Sequence, residues 1–292
     1  MHMWIASKSS NKFKKYSPIC VDRDIDYVDT SLDNVNEYVK GRNVMDKQSN
    51  LLWTEDFTVH ASDTDFQSKG KLSFLLDIMQ RAADSAVGSL GLSIDKMLEA
   101  RMGWMVITLI VDIHRLPLPN EMLKVHTWSK GNKGALWQRD YRIFDENSVE
   151  IASARSIWAL VDIDKRKILR PSALPIAVEP YLEDSVGSLP DKVVIPADVP
   201  LQEAYRYQVR YSGLDNNGHL NNARYVDLCC DALTLEEWEE SKLTGLQITY
   251  AQEAKYGEEI SIVRSSRTEE GIYVRGQDEG RVFFEACLRF GQ

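Results

Sequence analysis

The stretch from Leu72 to Leu90 constrains this chain most. Leu72, Leu75, Leu76, Met79, Ala82, Ala83, Ala86, Val87 and Leu90 recur at helical spacing, and Gly91 supplies a stop signal. The apolar stripe is too wide for a helix lying on a surface, so this helix must be largely buried. A fold built on it needs a sheet wrapped around it.

The flanking sequence supplies strands. Trp53–His60 alternates before the helix, with a polar turn at Ser62-Asp63-Thr64-Asp65. Trp104–His114, Met122–Trp128, Leu136–Asp145 and Glu150–Asp162 follow it, rich in β-branched and aromatic residues and separated by turns. The order is strand, buried helix, antiparallel meander. Residues 171–200 hold six of the nine prolines (Pro171, Pro175, Pro180, Pro190, Pro196, Pro200) and read as a stiff linker that does not fold alone.

The pattern then starts again. Ala204–Tyr211 is a strand and Ser212–Gly218 a turn. Leu220, Ala223, Val226, Cys230 and Leu233 line a helical face, widened by Tyr225, Leu228, Cys229 and Ala232. Strands follow at Gly245–Gln252, Glu259–Arg267, Gly271–Gly276 and Arg281–Phe290. The chain reads as an internal duplication. It predicts an α+β molecule in which two antiparallel sheets join edge to edge, each wrapping a long buried helix. The segments expected are an N-terminal extension (1–50), a first domain (51–170), the linker (171–200) and a second domain (201–292).

Composition narrows the function. A net charge of −9 argues against bulk nucleic-acid binding, and no apolar run is long enough for a membrane-spanning helix. Cys20, Cys229, Cys230 and Cys287 form neither a CxxC pair nor a zinc-ligand spacing and read as reduced, mostly buried thiols. The start of the chain carries Lys12, Lys14 and Lys15, then Asp22, Asp24, Asp26, Asp29 and Asp33, without a signal or transit pattern. It reads as a poorly ordered extension of a cytoplasmic protein, with Met45 an alternative start.

Chemistry concentrates in Asp215-Asn216-Asn217-Gly218-His219-Leu220-Asn221-Asn222, at a helix N-terminus. Such an end offers unpaired N–H groups and a positive dipole to developing negative charge. Gly218 would let backbone approach a substrate closely. Asp and Asn also serve as ordinary turn and cap residues. His219, one of five histidines, adds little to a cap and points beyond it.

From about Trp53 onward the chain resembles the acyl-acyl carrier protein thioesterases of bacteria and plant plastids. The supporting segments are Asp215-x-Asn217-x-His219-x-Asn221-Asn222, Tyr250-x-x-Glu253, Trp104, and Ile157–Asp162 leading to Arg170-Pro171. A looser pattern, reaching from Asp215 through Gly218-His219 to Tyr225, also occurs in single-domain hot-dog acyl-CoA thioesterases.

The resemblance implies a tandem hot-dog fold that hydrolyses fatty acyl thioesters of an acyl carrier protein. Catalysis would lie in the second half and the acyl chain mostly in the first. The matching first-half turn, Asp63–Lys69, lacks His and Asn. Ile113–Leu116, the counterpart of Tyr250–Glu253, has lost the acid.

Asp215, Asn217, His219 and Glu253 are the implied catalytic residues. Asn217 would hold the thioester or the attacking water, and backbone N–H groups of the next helix turn the oxyanion. His219 and Glu253 would form the acid–base pair. Asp215 would either orient Asn217 or attack the carbonyl itself. Plant members often carry a cysteine after the glutamate. Here Ala254 stands there, so no thiol at that place can be required, and Cys229 and Cys230 are poor substitutes.

Met79, Ala83, Ala86, Trp104 and Met105 are the expected acyl-binding residues. Lys130, Lys133, Arg139, Arg166, Lys167 and Arg170 are the expected contacts for an acidic carrier protein. No metal or cofactor, no nucleic acid and no membrane span is expected, and the assembly would be a monomer or homodimer. Three other readings are an acyl-CoA thioesterase, a noncatalytic acyl- or carrier-binding module, and a hot-dog dehydratase. The Asn-x-His and Tyr-x-x-Glu context disfavours the last.

Overall fold

The computed structural model describes residues 51–291, so the extension read over 1–50, with Cys20, lies outside the described residues. The first half contains β1 (Leu52–Thr58), α1 (Leu72–Ser89), α2 (Ile94–Glu99), β2 (Met102–Ile113), β3 (Met122–Lys133), β4 (Leu136–Phe144), β5 (Glu150–Asp162) and the short β6 (Lys167–Ile168). The second contains β7 (Gln202–Gln208), α3 (Asn222–Cys230), α4 (Leu235–Glu239), β8 (Leu243–Tyr250), β9 (Glu259–Arg264), β10 (Ile272–Asp278) and β11 (Arg281–Phe290).

Strand order is β1-β3-β4-β5-β2 in the first half and, mirrored, β7-β9-β10-β11-β8 in the second. The two inner edges pair antiparallel, from Thr108 opposite Thr249 to Asp112 opposite Gly245. Each half alone would leave that edge open. Joining them satisfies both rows of backbone groups in one continuous sheet. Arg289 of β11 reinforces the seam, donating to Val111 O and Asp112 Oδ1, each at 2.8 Å. This is the tandem hot-dog arrangement implied by the sequence.

α1 runs where the periodicity placed it. Leu72, Leu75, Leu76, Ile78, Met79, Ala82 and Ala83 are all buried. Gly91 ends it in the left-handed region (φ +84°), donating to Gly88 O at 2.8 Å while Leu92 N–H reaches Val87 O at 3.3 Å. These are the two bonds of a Schellman closure. α1 and α3 pack against each other, and Arg224 of α3 donates to Asp77 of α1 at 2.6 Å.

The second helix corrects the expectation of two long ones. α3 stops at Cys230, and Leu233 stands outside it. Thr234 opens α4 instead, with its hydroxyl accepting from Glu237 N–H at 3.3 Å and Glu237 Oε2 accepting from Thr234 N–H at 2.9 Å. This capping box competes with continuation of the helix. α2 was likewise not anticipated.

The proline-rich segment folds against the outer face of the sheet, opposite the helices. Asp140 and Arg155 point outward there and form a fully buried bidentate pair at 2.5 and 2.6 Å. The segment supplies their remaining partners: Ser185 Oγ and Gly187 O accept from Arg155, and Val186 N–H donates to Asp140. Farther on, Val193 N–H donates to Thr249 Oγ1 at 2.8 Å, over the seam between the halves. Among the described residues, no helix is long and apolar enough to cross a membrane.

Candidate active site

The turn before α3 is held by Asp215. Its Oδ1 accepts from Asn217 N–H at 2.8 Å and His219 N–H at 3.1 Å, and its own N–H donates to His219 O at 2.8 Å. Gly218 sits at φ +77°, with open space where a Cβ would be. Its positive φ shows that it serves the turn conformation. Asn221 caps α3, its side chain accepting from Ala223 N–H at 2.8 Å. Leu220 N–H donates to Ala254 O at 2.8 Å and His219 bridges to Lys255, which docks the turn onto the segment after β8.

That segment carries Glu253. Glu253 Oε2 stands 3.3 Å from His219 Nε2, with both side chains largely withdrawn from solvent. Tyr225 of α3 fixes the segment, because its phenol oxygen accepts from Ala254 N–H at 2.9 Å. Burial raises the Tyr225 phenol far above its ordinary range, so it stays neutral. Arg166, from the turn between β5 and β6, also donates to Glu253 Oε2. The carboxylate thus receives an imidazole from its own half and a guanidinium from the other.

Geometry of the seam makes the cleft. β8 pairs with β2 only as far as Thr108, so Met102–Ile107 runs past the end of β8 without a neighbour on that side. A cavity of about 840 Å³ opens there. Trp104, Met105 and Ile107 line its first-half wall. Asp215, Asn217, His219 and Glu253 line the other, with Asn222 and Tyr250 deeper along α3 and β8.

The first half contains the same turn without the same chemistry. Asp65 Oδ1 accepts from Gln67 N–H at 2.8 Å and Lys69 N–H at 2.9 Å, and Asp65 N–H donates to Lys69 O at 2.8 Å. Ser68 takes the left-handed place of Gly218. Gly70 N–H donates to Pro117 O, as Leu220 N–H does to Ala254 O. These bonds superpose Asp65 on Asp215, Gln67 on Asn217, Lys69 on His219 and Leu116 on Glu253. An aspartate making the same two backbone bonds where there is no imidazole or acid is a turn-forming residue.

The helix end offers less to an oxyanion than the sequence suggested. Asn217 and His219 N–H go to Asp215, Leu220 to Ala254, Asn221 to Gly213, Ala223 to Asn221 Oδ1 and Arg224 to Asn221 O. Asn222 borders the cleft, and its N–H has no such acceptor among the described residues.

Of the expected acyl-binding residues, Trp104 and Met105 line the main cleft. Met79 lines a smaller cavity with Val106, Asn222 and Tyr250, which also border the cleft. Ala83 lines another beside Trp104, Trp137 and Trp158. Ala86 lines none of these.

The expected carrier contacts divide. Lys133, Lys167 and Arg170 are exposed, and so is Arg166 despite its bond to Glu253. Lys130 is engaged by the proline-rich segment, donating to Tyr181 O and Asp184 O. Arg139 turns inward: its guanidinium donates to Thr127 Oγ1 at 3.1 Å and lines the cavity with Ala83. A group so placed does not belong to a surface patch, and burial lowers its pKa. Near it, Asp84 on α1 is exposed, and it borders both that cavity and an adjoining groove. Desolvation by the surrounding protein raises its carboxyl to about 6, opposed by Arg139.

Cys229 and Cys230 sit on α3 with their thiols pushed far up by burial, which keeps them protonated and unreactive. Tyr225 and Arg166 are the two functional neighbours of Glu253 that the sequence did not assign to it. Tyr225 was visible as the last member of the looser motif. Arg166 was not, because 87 residues separate it from its partner.

Family models describing the N-terminal and C-terminal domains of acyl-ACP thioesterases match residues 50–172 and 198–281. A chloroplastic acyl-[acyl-carrier-protein] hydrolase of Cuphea viscosissima is 25% identical over 220 residues, covering 71% of this chain and 53% of that protein. A chloroplastic palmitoyl-acyl carrier protein thioesterase of Arabidopsis thaliana is 23% identical, covering 70% and 53%. The chain spans about half the length of these curated relatives. An acyl-ACP thioesterase from Bacteroides thetaiotaomicron shares the fold with a TM-score of 0.72 at 21% identity, covering 84% of this chain and 99% of that one. The 12:0-ACP thioesterase from Umbellularia californica does so with a TM-score of 0.67 at 17% identity, covering 82% and 97%. With two family models laid in order along its two halves, this chain belongs to the acyl-ACP thioesterase family.

Proposed function

We propose that this protein hydrolyses fatty acyl thioesters of an acyl carrier protein, releasing a free fatty acid and the carrier thiol and so ending acyl-chain synthesis. One observation carries the reading: an imidazole and a carboxylate 3.3 Å apart at the wall of a large, partly apolar cleft. Their counterparts in the other half are a lysine and a leucine.

In this reading water attacks the thioester carbonyl carbon. Glu253 takes a proton from that water, His219 in its protonated form delivers one to the departing sulfur as the C–S bond breaks, and Glu253 passes its proton to His219 to reset the pair. The Asn217 amide and the Asn222 N–H receive the oxyanion between these steps. Asp215 holds the turn that aims Asn217 and His219 and does not itself attack. The acyl chain lies along Trp104 and Met105 and continues toward Met79 and Ala83, so the first half binds and the second reacts. Lys133, Arg166, Lys167 and Arg170 face the carrier, and the reaction runs in a reducing compartment, as the cytoplasm is.

Release of thiol from acyl-carrier protein, followed across a series of chain lengths and compared with the same acyl group on coenzyme A, tests this directly. Preference for the carrier supports the proposal. Preference for coenzyme A would move the protein to another thioesterase class on the same fold, and hydrolysis of neither would leave it a binding module.

A further inference from the structure

We propose that Arg166 is an interlock on Glu253, released when an anionic group on the thioester's carrier takes its guanidinium. The inference rests on the hydrolase reading above and adds a control to it. Arg166 belongs to the noncatalytic half, in the exposed turn Asp164-Lys165-Arg166 that leads into β6, with its own backbone at φ +55°. Its Nη2 donates to the same Glu253 oxygen that His219 Nε2 faces at 3.3 Å. A guanidinium on that oxygen occupies the lone pairs through which Glu253 would take a proton and competes with the imidazole for them.

The contact is of a kind that exchanges. The Arg166 side chain is 58% exposed, and ion pairs so open to water hold little net energy. A guanidinium binds phosphate or clustered carboxylates in a two-pronged fashion that a single carboxylate oxygen does not match. The cleft itself holds carboxylates (Asp162, Asp215, Glu253, Glu285), but cations free to meet an anion stand at its rim and beside it. Lys192 lines the cleft, and Lys167 and Arg170 follow Arg166 in the chain. Among the described residues none of the three has an acidic partner, in a chain of net charge −9. Arriving substrate would thus draw Arg166 off Glu253 at the moment the base is needed. Acyl groups on carriers without an anion would meet a restrained site.

The test compares wild type, Arg166→Gln and Arg166→Lys on one acyl group presented three ways: on N-acetylcysteamine, on phosphopantetheine and on acyl carrier protein. For Arg166→Gln, kcat on the uncharged N-acetylcysteamine thioester should rise, by roughly two- to fivefold, the worth of one exposed ion pair. On the carrier-borne thioester, kcat/KM should fall by roughly tenfold through KM. Arg166→Lys should keep most of the wild-type pattern.

Wild-type kcat already released by the phosphopantetheine thioester assigns the anion as the phosphate. Release by the carrier protein alone assigns it to acidic side chains. Equal loss of kcat on all three substrates, or no change on any, would overturn the interlock and leave Arg166 a simple support. Wild type inactive on all three would defeat the hydrolase reading itself, and the interlock with it.

Discussion

Glu253 and Leu116 hold equivalent places in the two halves, as do His219 and Lys69. In the proposed mechanism those two differences separate the reacting half from the binding half. Replacing His219 or Glu253 with alanine should therefore lower kcat by roughly 10²–10⁴ while leaving KM near wild type. Steady-state thiol release checks this. Asp215 behaves differently, because Asp65 makes its bonds in the half without the acid–base pair. A single turnover in heavy-oxygen water should place the label in the fatty acid. Label found first in Asp215 would establish the aspartate as nucleophile. The four site residues were legible because they fall in two short motifs. Their division of labour was not, since it depends on comparing hydrogen bonds between halves that share little sequence. Gly218 looked like a place for close approach, and its backbone angle adds a turn role that the sequence did not show.

Among elements, the proline-rich segment is the one whose role sequence left open. Six prolines forecast a strap without regular structure, and periodicity carries no trace of what such a strap covers. Its partners are side chains on β3, β4, β5 and β8, far away in the chain. Asp140→Ala leaves Arg155 buried and uncompensated, and should cost roughly 3–5 kcal/mol in denaturant unfolding. The helices were readable to the extent that local signals stood alone. α1 has a strong stripe and a glycine stop. The end of α3 was masked because Ala232 and Leu233 continue its apolar pattern, although Thr234-x-x-Glu237 marked a new start.

α1 also carries a titration. Asp84 binds its proton more tightly folded, near pH 6, than unfolded, near pH 4. This group's contribution to stability therefore falls as pH rises from about 4 to about 6 and stays low above that. Asp84→Asn should remove that fall, which melting curves across the interval would show. Carbon NMR of the wild-type carboxyl should give a midpoint near 6.

At the scale of the whole molecule, the seam between β2 and β8 makes one sheet of two halves and, by ending early, opens the cleft. That the halves join edge to edge was foreseeable, since an unpaired edge is a liability. Which edges join was not, because all the strands look alike in composition. Gly245 sits at the seam, where an added Cβ would meet Val111 O at 2.6 Å as well as the Arg289 guanidinium. Gly245→Ala should consequently lower thermal stability and impair activity by spreading β2 from β8, though it touches no catalytic residue. A substitution with wild-type melting and turnover would show that the seam is more yielding than its packing suggests.

The most direct measurement is turnover of a long-chain acyl-carrier protein thioester by wild type and by Glu253→Ala, side by side, with binding of the same substrate measured for both. The geometry predicts rapid hydrolysis by the wild type, a loss of roughly 10²–10⁴ in kcat for the variant, and nearly equal binding. Equal turnover by the two proteins would contradict the placement of catalysis at the His219–Glu253 pair.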